Sequence, residues 1–341
     1  MKLRLLAPAV AVALLLGGCT DDGGSPSDPS ASNGEGKKLV EISPLTGKPL
    51  PDGRPDNSVF VVKVENTPSG APQYGLDKAD MVVEELVEGG LTRLAAFFYS
   101  NLPKKVGHVR SMRTTDIGIA KPVAGKIVAS GGAPSAARRI KNAGINTFTE
   151  SSPGFSRDAK AAPYNVVVNL SQLSSTAKGR AIPGPYLNWT ALKGSDTSTP
   201  TPETTDSASS APEPKKAKRV SVRFSNSTTT NWAFSGDHWK RKNGHAAPGQ
   251  DFNPDTLVVM FCKVTDAGYR DPGGSAVPET VVKGSGRAVV LHDGTATEAR
   301  WNKKGLGSTV KFETKDGEPL TIDPGKTWLS MVPKGKGGID Y

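Results

Sequence analysis

The chain has 341 residues, which suggests about two domains, and a formal net charge of +10 at pH 7. Its basic residues are scattered and no aromatic–basic RNA motif is visible, so the composition argues against a nucleic-acid-binding protein. The positive charge suits anionic surfaces such as lipid headgroups or wall polymers, although a generally solvated cationic surface also explains it.

The first 18 residues have the pattern of a bacterial lipoprotein signal peptide. Lys2 and Arg4 give a basic start, Leu5 to Leu16 is a short apolar run, and small residues precede Cys19. The run is too short to span a bilayer, which needs roughly 20 residues. We therefore expect an exported protein, anchored to the outer face of the bacterial cytoplasmic membrane by lipid on Cys19.

Two compositionally biased segments divide the remaining chain. Residues 19–40 are rich in Asp, Gly, Ser and Pro and predict a flexible tether. Residues 194–218 contain no aromatic residue and no aliphatic residue larger than Ala, which predicts a disordered Ser/Thr/Pro linker and a candidate for glycosylation. The predicted domains are therefore 41–193 and 219–341.

The first domain mixes strand and helix patterns. Residues 58–66 are a continuous apolar run, typical of a strand buried on both faces. Residues 79–100 predict a hairpin that turns at Gly89–Gly90. A short strand over 125–132 precedes a helix over 133–144, and this alternation indicates an α/β layered arrangement.

The second domain has mostly strand patterns. Residues 219–225 alternate between apolar and polar, and Asp-Gly turns follow at Asp293–Gly294 and Asp316–Gly317. Cys262 lies in an apolar run and is predicted to be a small buried residue. The predicted fold class is α+β, with an N-terminal α/β layered domain followed by a smaller, mostly antiparallel β domain.

The predicted hairpin creates the first candidate site. With a two-residue turn at Gly89–Gly90, the side chains of Glu84, Glu88 and Arg93 share one face, because side chains alternate along a strand. Arg93 would then lie diagonal to both glutamates and within reach of each. The sequence therefore predicts a Glu84–Arg93–Glu88 cluster.

Two further arginines follow the hairpin closely. Arg110 and Arg113 flank Ser111, and each guanidinium fork suits a carboxylate or a phosphate. Three arginines against two glutamates would leave positive charge for an anionic ligand, whereas a closed structural network is the alternative. His108 precedes this pair and is expected at the surface.

A hydrolytic role for the glutamates is a second hypothesis. Glu84 and Glu88 would stand roughly 13 Å apart on an extended strand, whereas glycosidase carboxylates lie about 5 to 9.5 Å apart. Arg93 between them would keep both ionised, although a general acid needs a raised pKa. The pattern favours binding over catalysis and names no catalytic residue.

The sequence predicts neither a cofactor nor a metal site. Gly131–Gly132 stand between a strand and a helix, where backbone N–H groups can meet an anion, but GxGxxG spacing is absent. The GSGRAV stretch at 284–289 leads into a strand and not a helix. His238 and His245 lack a third ligand.

Several blocks together resemble the YerB-like bacterial lipoprotein family: SPLTGKPL (43–50), VENTPSGAPQYGLDKADMVVEELVEGGLTR (64–93), KVGHVRSMRTTD (105–116), SGGAPSA (130–136), APYNVVVN (162–169) and IDPGKTWLSMVP (322–333). The resemblance covers nearly the whole chain apart from the tether and the linker. It implies an exported, lipid-anchored protein with an α/β first domain and a β-rich second domain. The family has no established biochemical activity, so the resemblance implies location and architecture but no chemistry.

The recurring polar positions of the family fall on these residues: Asn66, Glu84, Glu88, Arg93, Arg110, Ser111 and Arg113. Two positions depart from the family pattern. His108 stands where the family usually has Pro, and Tyr164 stands where an APHN-type block has His. If relatives use that histidine as a base, this chain lacks it, which weakens an enzymatic interpretation.

The combined prediction is a lipid-anchored cell-envelope protein that binds an anionic envelope component through the Arg/Glu cluster. Asn66 would add hydrogen bonds to the ligand. One alternative is a hydrolase or transferase acting on wall glycan or peptide through Glu84 or Glu88. The other is a scaffold that recruits envelope proteins through an exposed apolar patch on residues 219–341.

Overall fold

The structure, a computed structural model, describes residues 40–177, 181–191 and 214–341. The predicted signal peptide, Cys19, nearly all of the tether and most of the linker lie outside the described residues. The described residues fall within one compact unit, Leu39–Tyr341. None of the helices found among them has the length and apolarity needed to cross a membrane.

Strands dominate the described part of the chain. In the N-terminal half they are β1 (Glu41–Ile42), β2 (Pro49–Leu50), β3 (Phe60–Glu65), β4 (Met81–Leu86), β5 (Thr92–Phe98), β6 (Val106–Gly107), β7 (Lys126–Val128), β8 (Thr147–Phe148), β9 (Phe155–Arg157) and β10 (Val166–Val168). The α-helices are α1 (Asp116–Ala120), α2 (Pro134–Asn142) and α3 (Leu170–Thr176). Short 3₁₀ turns cover Pro68–Gly70, Leu76–Lys78, Glu88–Gly90 and Lys121–Val123.

The C-terminal half contains strands throughout. They are β11 (Lys215–Lys216), β12 (Arg219–Arg223), β13 (Thr229–Ser235), β14 (His238–Arg241), β15 (Thr256–Cys262), β16 (Val264–Arg270), β17 (Ala276–Thr280), β18 (Gly284–His292), β19 (Thr295–Lys303), β20 (Lys311–Glu313), β21 (Pro319–Leu320), β22 (Thr327–Pro333) and β23 (Gly338–Asp340). Because β11 pairs with β19, Lys215 and Lys216 of the predicted linker belong to a sheet of the C-terminal half.

One large sheet contains strands of both halves. Its order is β21-β20-β19-β18-β15-β22-β4-β5-β3-β7-β8, and β11 pairs with β19 beside this path. Strand β22 lies between β15 and β4 and runs parallel to both. Every residue of β22 is buried, so this apolar strand needs a neighbour on each edge and joins the two halves within the sheet.

Alternate residues of the central strands enter different apolar cores. Val61, Val83 and Phe97 belong to the core on one face of the sheet. Val62 and Phe98 belong to the core on the other face. All of β3 is buried, which confirms the prediction that this run is covered on both faces.

Helices form a small part of the first half. Helix α2 confirms the helix predicted over 133–144. Strands β3, β7 and β8 are parallel, and α1 and α2 lie in the chain that leads into β7 and β8. The remaining pairs of the first half are antiparallel, so the predicted α/β layering of the whole first domain is not confirmed.

Smaller sheets complete the fold. An antiparallel sheet of order β14-β13-β12-β23 contributes Trp232 and Trp239 to the second apolar core. A hairpin of β16 and β17 contacts the first half, where the Thr280 amide donates to Thr115 Oγ1 at 3.0 Å. Residues 181–191 continue along the second half through a parallel bridge between Leu187 and Val310.

Candidate functional site

The β4–β5 hairpin has a register one residue away from the predicted one. Glu88–Gly90 forms a 3₁₀ turn within a longer loop, so Glu85, and not Leu86, pairs with Arg93. A one-residue shift moves side chains to the opposite face of a sheet, so Arg93 lies on the face away from Glu84. The predicted Glu84–Arg93–Glu88 cluster is therefore wrong, and two separate polar clusters occupy the two faces.

The first cluster, here called the ion cluster, contains Lys63, Glu65, Glu85, Glu88, Arg93, Arg110, Arg113 and Asp116. Its four cations face four carboxylates, so the predicted surplus of guanidinium charge is wrong. Sequence reasoning missed half of the members, because they lie in apolar strands or begin a short helix. An overlooked signal was Lys63 itself, since a lysine in a strand buried on both faces requires a carboxylate partner.

Lys63 holds the centre of the ion cluster. Its ammonium contacts Glu85 Oε1 and lies 2.6 Å from Asp116 Oδ1, and all three side chains are 0% exposed. Burial raises the pKa of Glu85; the Lys63 charge opposes this shift and the Asp116 charge reinforces it. This triad ties β3, β4 and the first turn of α1 together.

Each guanidinium nitrogen of Arg113 donates a hydrogen bond to the protein. Its Nε and Nη2 donate to the two carboxylate oxygens of Glu88 at 2.6 and 2.8 Å, and Nη1 donates to the Met112 carbonyl at 3.0 Å. Burial alone would raise the pKa of Glu88, but the hydrogen bonds and charge of Arg113 hold it below its usual value. Arg113 therefore fixes the loop after β6, and its charge is committed to the Glu88 carboxylate.

Arg93 and Arg110 share Glu65. Arg93 Nη2 lies 3.9 Å from Glu65 Oε2, and Arg93 Nη1 donates to the Ser111 carbonyl at 3.2 Å. Arg110 Nη1 lies 2.8 Å from the same carboxylate oxygen, without the alignment of a hydrogen bond, and its guanidinium stacks 4.6 Å from the Tyr164 ring centroid. The Arg110 side chain is 17% exposed, against 6% for Arg93.

Arg110 lies beside a second loop. The Arg110 carbonyl accepts from the Ser130 amide at 3.1 Å, and the Met112 amide donates to the Gly131 carbonyl at 2.9 Å. These bonds place Ser111 alongside Ser130 and Gly131 just before α2, and all three residues are partly exposed. The result is a polar rim around the outermost guanidinium of the ion cluster.

Glu84 belongs to the second cluster, on the opposite face. Its Oε1 accepts from Thr92 Oγ1 and Thr230 Oγ1, both at 2.8 Å, and from Asn66 Nδ2 at 3.2 Å. Its Oε2 accepts from Trp328 Nε1 at 3.2 Å. The side chain is completely buried, and burial raises its pKa while the hydroxyl donors oppose the shift.

Arg241 completes this second cluster. It donates to Gln73 Oε1 at 2.7 Å, to Asp251 Oδ1 at 2.8 Å and to Asn66 Oδ1 at 3.1 Å. Its guanidinium lies 5.0 Å from the Trp328 ring. The Asn66 side chain therefore links Glu84 to Arg241 and not to Arg110 or Arg113, whereas its backbone amide donates to Glu65 Oε1 at 3.2 Å. The network joins strands of both halves. Partners so far apart in sequence leave no local pattern from which to predict them.

Neither glutamate named in the hydrolase hypothesis is placed to act on a substrate. Glu84 has only neutral direct partners, as the hydrolase hypothesis requires, but it is 0% exposed and out of reach of a substrate. Glu88 is committed to Arg113. Across the residues that the structure describes, no group of three or more His, Cys, Asp or Glu side chains could hold a metal ion.

His108 and Cys262 are both buried. His108 is 0% exposed, with one ring nitrogen 2.7 Å from the Gly70 carbonyl and the other 2.7 Å from Asp158, so the expected surface position is wrong. Cys262 is buried as predicted, and burial raises the pKa of its thiol to about 12. Neither side chain is available to a ligand.

Comparison with known proteins agrees with the resemblance found in the sequence. Two family models match, the N-terminal domain of "Protein of unknown function (DUF3048)" over residues 45–183 and its C-terminal domain over 220–329. The chain is 24% identical over 306 residues to "Putative lipoprotein YerB" of Bacillus subtilis (strain 168), with 87% of each chain covered. The crystal structure of YerB protein from Bacillus subtilis matches with a TM-score of 0.70 at 21% identity, covering 88% of this chain and 100% of that chain. The chain belongs to the DUF3048 family and carries both of its domains.

Proposed function

We propose that this protein is an exported, lipid-anchored cell-envelope protein that binds a carboxylate- or phosphate-bearing envelope component. The Cys19 lipoprotein pattern and the similarity to a relative named as a lipoprotein support the anchoring. The family carries no described activity, so the proposed binding rests on the geometry of the site alone.

The binding group in this proposal is Arg110, assisted by the Ser111 hydroxyl. The observation that carries it is the 17% exposure of the Arg110 side chain, because the other cations of the ion cluster are more deeply buried and occupied. Glu65 and the Tyr164 ring hold the guanidinium in place before a ligand arrives. A fixed fork loses little conformational entropy on binding, which favours affinity.

The rest of the ion cluster supports that arginine. Arg113 and Glu88 fix the loop that carries Ser111, and Arg93 donates to the Ser111 carbonyl. We therefore assign Arg93, Arg113 and Glu88 a positioning role, and we assign Asn66 and Glu84 to the joint between the halves. The enzyme alternative named Glu84 or Glu88, but Glu84 is completely buried and Glu88 is paired with Arg113. Within the described part of residues 219–341 only Leu306 is a strongly exposed large apolar residue, which gives the scaffold alternative little support.

Arg110→Gln is expected to weaken the binding of inorganic phosphate and of acetate by roughly 10- to 100-fold. Hydrogen bonds to charged groups contribute about 1.5–3 kcal/mol, and glutamine is an unbranched polar side chain that carries neither the charge nor the fork. The measurement is the saturation of the Ser111 and Ser130 amide shifts by NMR as either anion is added. Unfolding free energy should fall by less than about 2 kcal/mol, because Glu65 keeps Arg93 as a partner.

Arg157→Gln is the matched control for this experiment. Arg157 is a nearby arginine, 49% exposed, that pairs with Glu150 outside the ion cluster. Its replacement should leave both anion titrations unchanged. The proposal fails if the wild-type amides show no saturable response to either anion, or if the control variant loses as much affinity as Arg110→Gln.

A further inference from the structure

Two segments of the chain carry basic residues without a single carboxylate. Residues 117–149 and 299–312 contain no Asp or Glu and together contain nine Lys and Arg residues. Arg139 and Arg300 pair with glutamates from outside these segments. The exposed cations Lys121, Arg138, Lys141 and Lys304 form no ion pair with any carboxylate among the described residues.

Two adjoining grooves connect Lys121, Arg138 and Lys141 into one surface. A groove of about 720 Å³ is lined by Arg138, Lys141 and Phe148, and one of about 550 Å³ is lined by Lys121, Lys126 and Ala181. Ile145 and Asn146 line both grooves. The basic surface is therefore continuous from α2 to Lys121 and Ala181. We call it, together with Lys304, Ile182 and Leu306, the basic face.

Two strongly exposed aliphatic side chains lie at the end of this surface. Ile182 is 75% exposed and Leu306 is 39% exposed. Their segments run side by side in parallel, because Leu187 bridges to Val310 and Thr309 Oγ1 donates to the Pro185 carbonyl at 2.8 Å. Both side chains therefore lie at the same end of the paired segments.

The loop that carries Leu306 has a defined shape. The buried Lys303 ammonium donates to the carbonyls of Gly305 and Leu306, so it closes the loop from inside. Leu306 packs against Gly118, because its Cδ2 lies 3.3 Å from the position that a Cβ atom on Gly118 would occupy. Lys121 packs against Gly307 in the same way, with its Cγ 3.4 Å from the position of a Cβ atom on that glycine. The loop that carries Leu306 therefore lies next to Lys121.

We infer that the basic face docks on an anionic phospholipid bilayer, with Ile182 and Leu306 entering the headgroup region and the surrounding cations contacting lipid phosphates. Basic residues near an anionic membrane and exposed aliphatic side chains are the two features that bind peripheral proteins to lipid. A soluble polyanion would account for the cations but not for two exposed aliphatic side chains among them. This contact is separate from the lipid on Cys19 and from the Arg110 site.

The test uses the full chain with Cys19→Ser, which cannot be lipidated, and an NBD fluorophore attached through Leu306→Cys. Cys262 is buried and should not react. Vesicles of phosphatidylcholine and phosphatidylglycerol should shift NBD emission to the blue, and pure phosphatidylcholine vesicles should not. A fluorophore attached through Lys240→Cys, at an exposed position of β14, should not respond to either vesicle. Sodium chloride at about 1 M should abolish the response, because it shortens the Debye length to about 3 Å.

A second comparison measures affinity by co-sedimentation with the same vesicles. Lys121→Gln with Lys141→Gln should weaken binding about 30-fold, because each basic side chain near an anionic surface contributes roughly fivefold. Lys240→Gln with Lys315→Gln removes the same charge elsewhere and should leave affinity unchanged. The inference is overturned if both charge variants bind equally, if both fluorophores respond equally, or if long-chain polyphosphate binds to the Lys121/Lys141 surface while vesicles leave the Leu306 fluorophore unchanged.

Discussion

Lys63→Met is expected to lower the free energy of unfolding by about 3–5 kcal/mol near pH 7. The replacement leaves Glu85 and Asp116 without their cation in a site where all three side chains are 0% exposed. Methionine fills a similar volume, so the loss reports an uncompensated buried charge and not a cavity. Urea unfolding followed by circular dichroism measures the difference between variant and wild type.

The loss of unfolding free energy in Lys63→Met should become larger as the pH rises. Burial already raises the pKa of Glu85 above its ordinary value, and removing Lys63 raises it further. The folded state then binds more protons than the unfolded state, so the variant gains stability as pH falls and loses it as pH rises through the folded pKa. The deficit of Lys63→Met should be smaller at about pH 5 than at about pH 8.

Two further variants serve as controls for the Lys63 prediction. Lys63→Met with Glu85→Gln should recover part of the lost stability, because one of the stranded charges is gone. Lys240→Met, at an exposed position, should change stability by no more than about 0.5 kcal/mol. An equal deficit at both pH values, or a double variant that is less stable than Lys63→Met, contradicts the charge argument.

Much of the local structure follows from the sequence. The Val-rich run of β3 predicts a strand covered on both faces, and Pro134 and Gly144 delimit α2 within two residues of its observed ends. The hairpin of β4 and β5 is also predictable, but its register is not. Gly89 and Gly90 both have positive φ, as a two-residue turn requires, yet they lie in a five-residue loop from Val87 to Leu91.

The register of this hairpin determines which polar side chains lie on the same face and therefore which residues form each cluster. Glu84 and Glu85 are both fully buried, so the strand carries no apolar–polar alternation from which to choose a face. The position of β22 in the sheet cannot be predicted from the local sequence either, because its apolar run is compatible with any central strand position. Without that strand order the sequence gives no reason to bring Glu84 to Trp328 or Thr230.

Glu84→Ala is expected to lower the free energy of unfolding by at least about 4 kcal/mol, the largest effect among the residues that link the two halves. The change leaves donors from Asn66, Thr92, Thr230 and Trp328 buried without their acceptor. Glu84→Gln keeps the shape and should cost about 1–3 kcal/mol, because its amide group would face the Trp328 indole N–H, also a donor. Urea unfolding gives both values.

Hydrogen exchange can show that Glu84 joins the two halves. Its partner on β5 belongs to the first half, and its partners on β13 and β22 belong to the second. Strands β5 and β22 are in the large sheet, whereas β13 is in the four-stranded sheet. Amide protection in β3–β5 and in β13–β14 should therefore fall by the same free energy in Glu84→Gln. Glu298→Gln, which breaks a partly exposed pair with Arg287, should change protection by about 1 kcal/mol or less. Loss of protection in only one of the two regions would mean that the halves unfold separately and that Glu84 stabilises one of them alone.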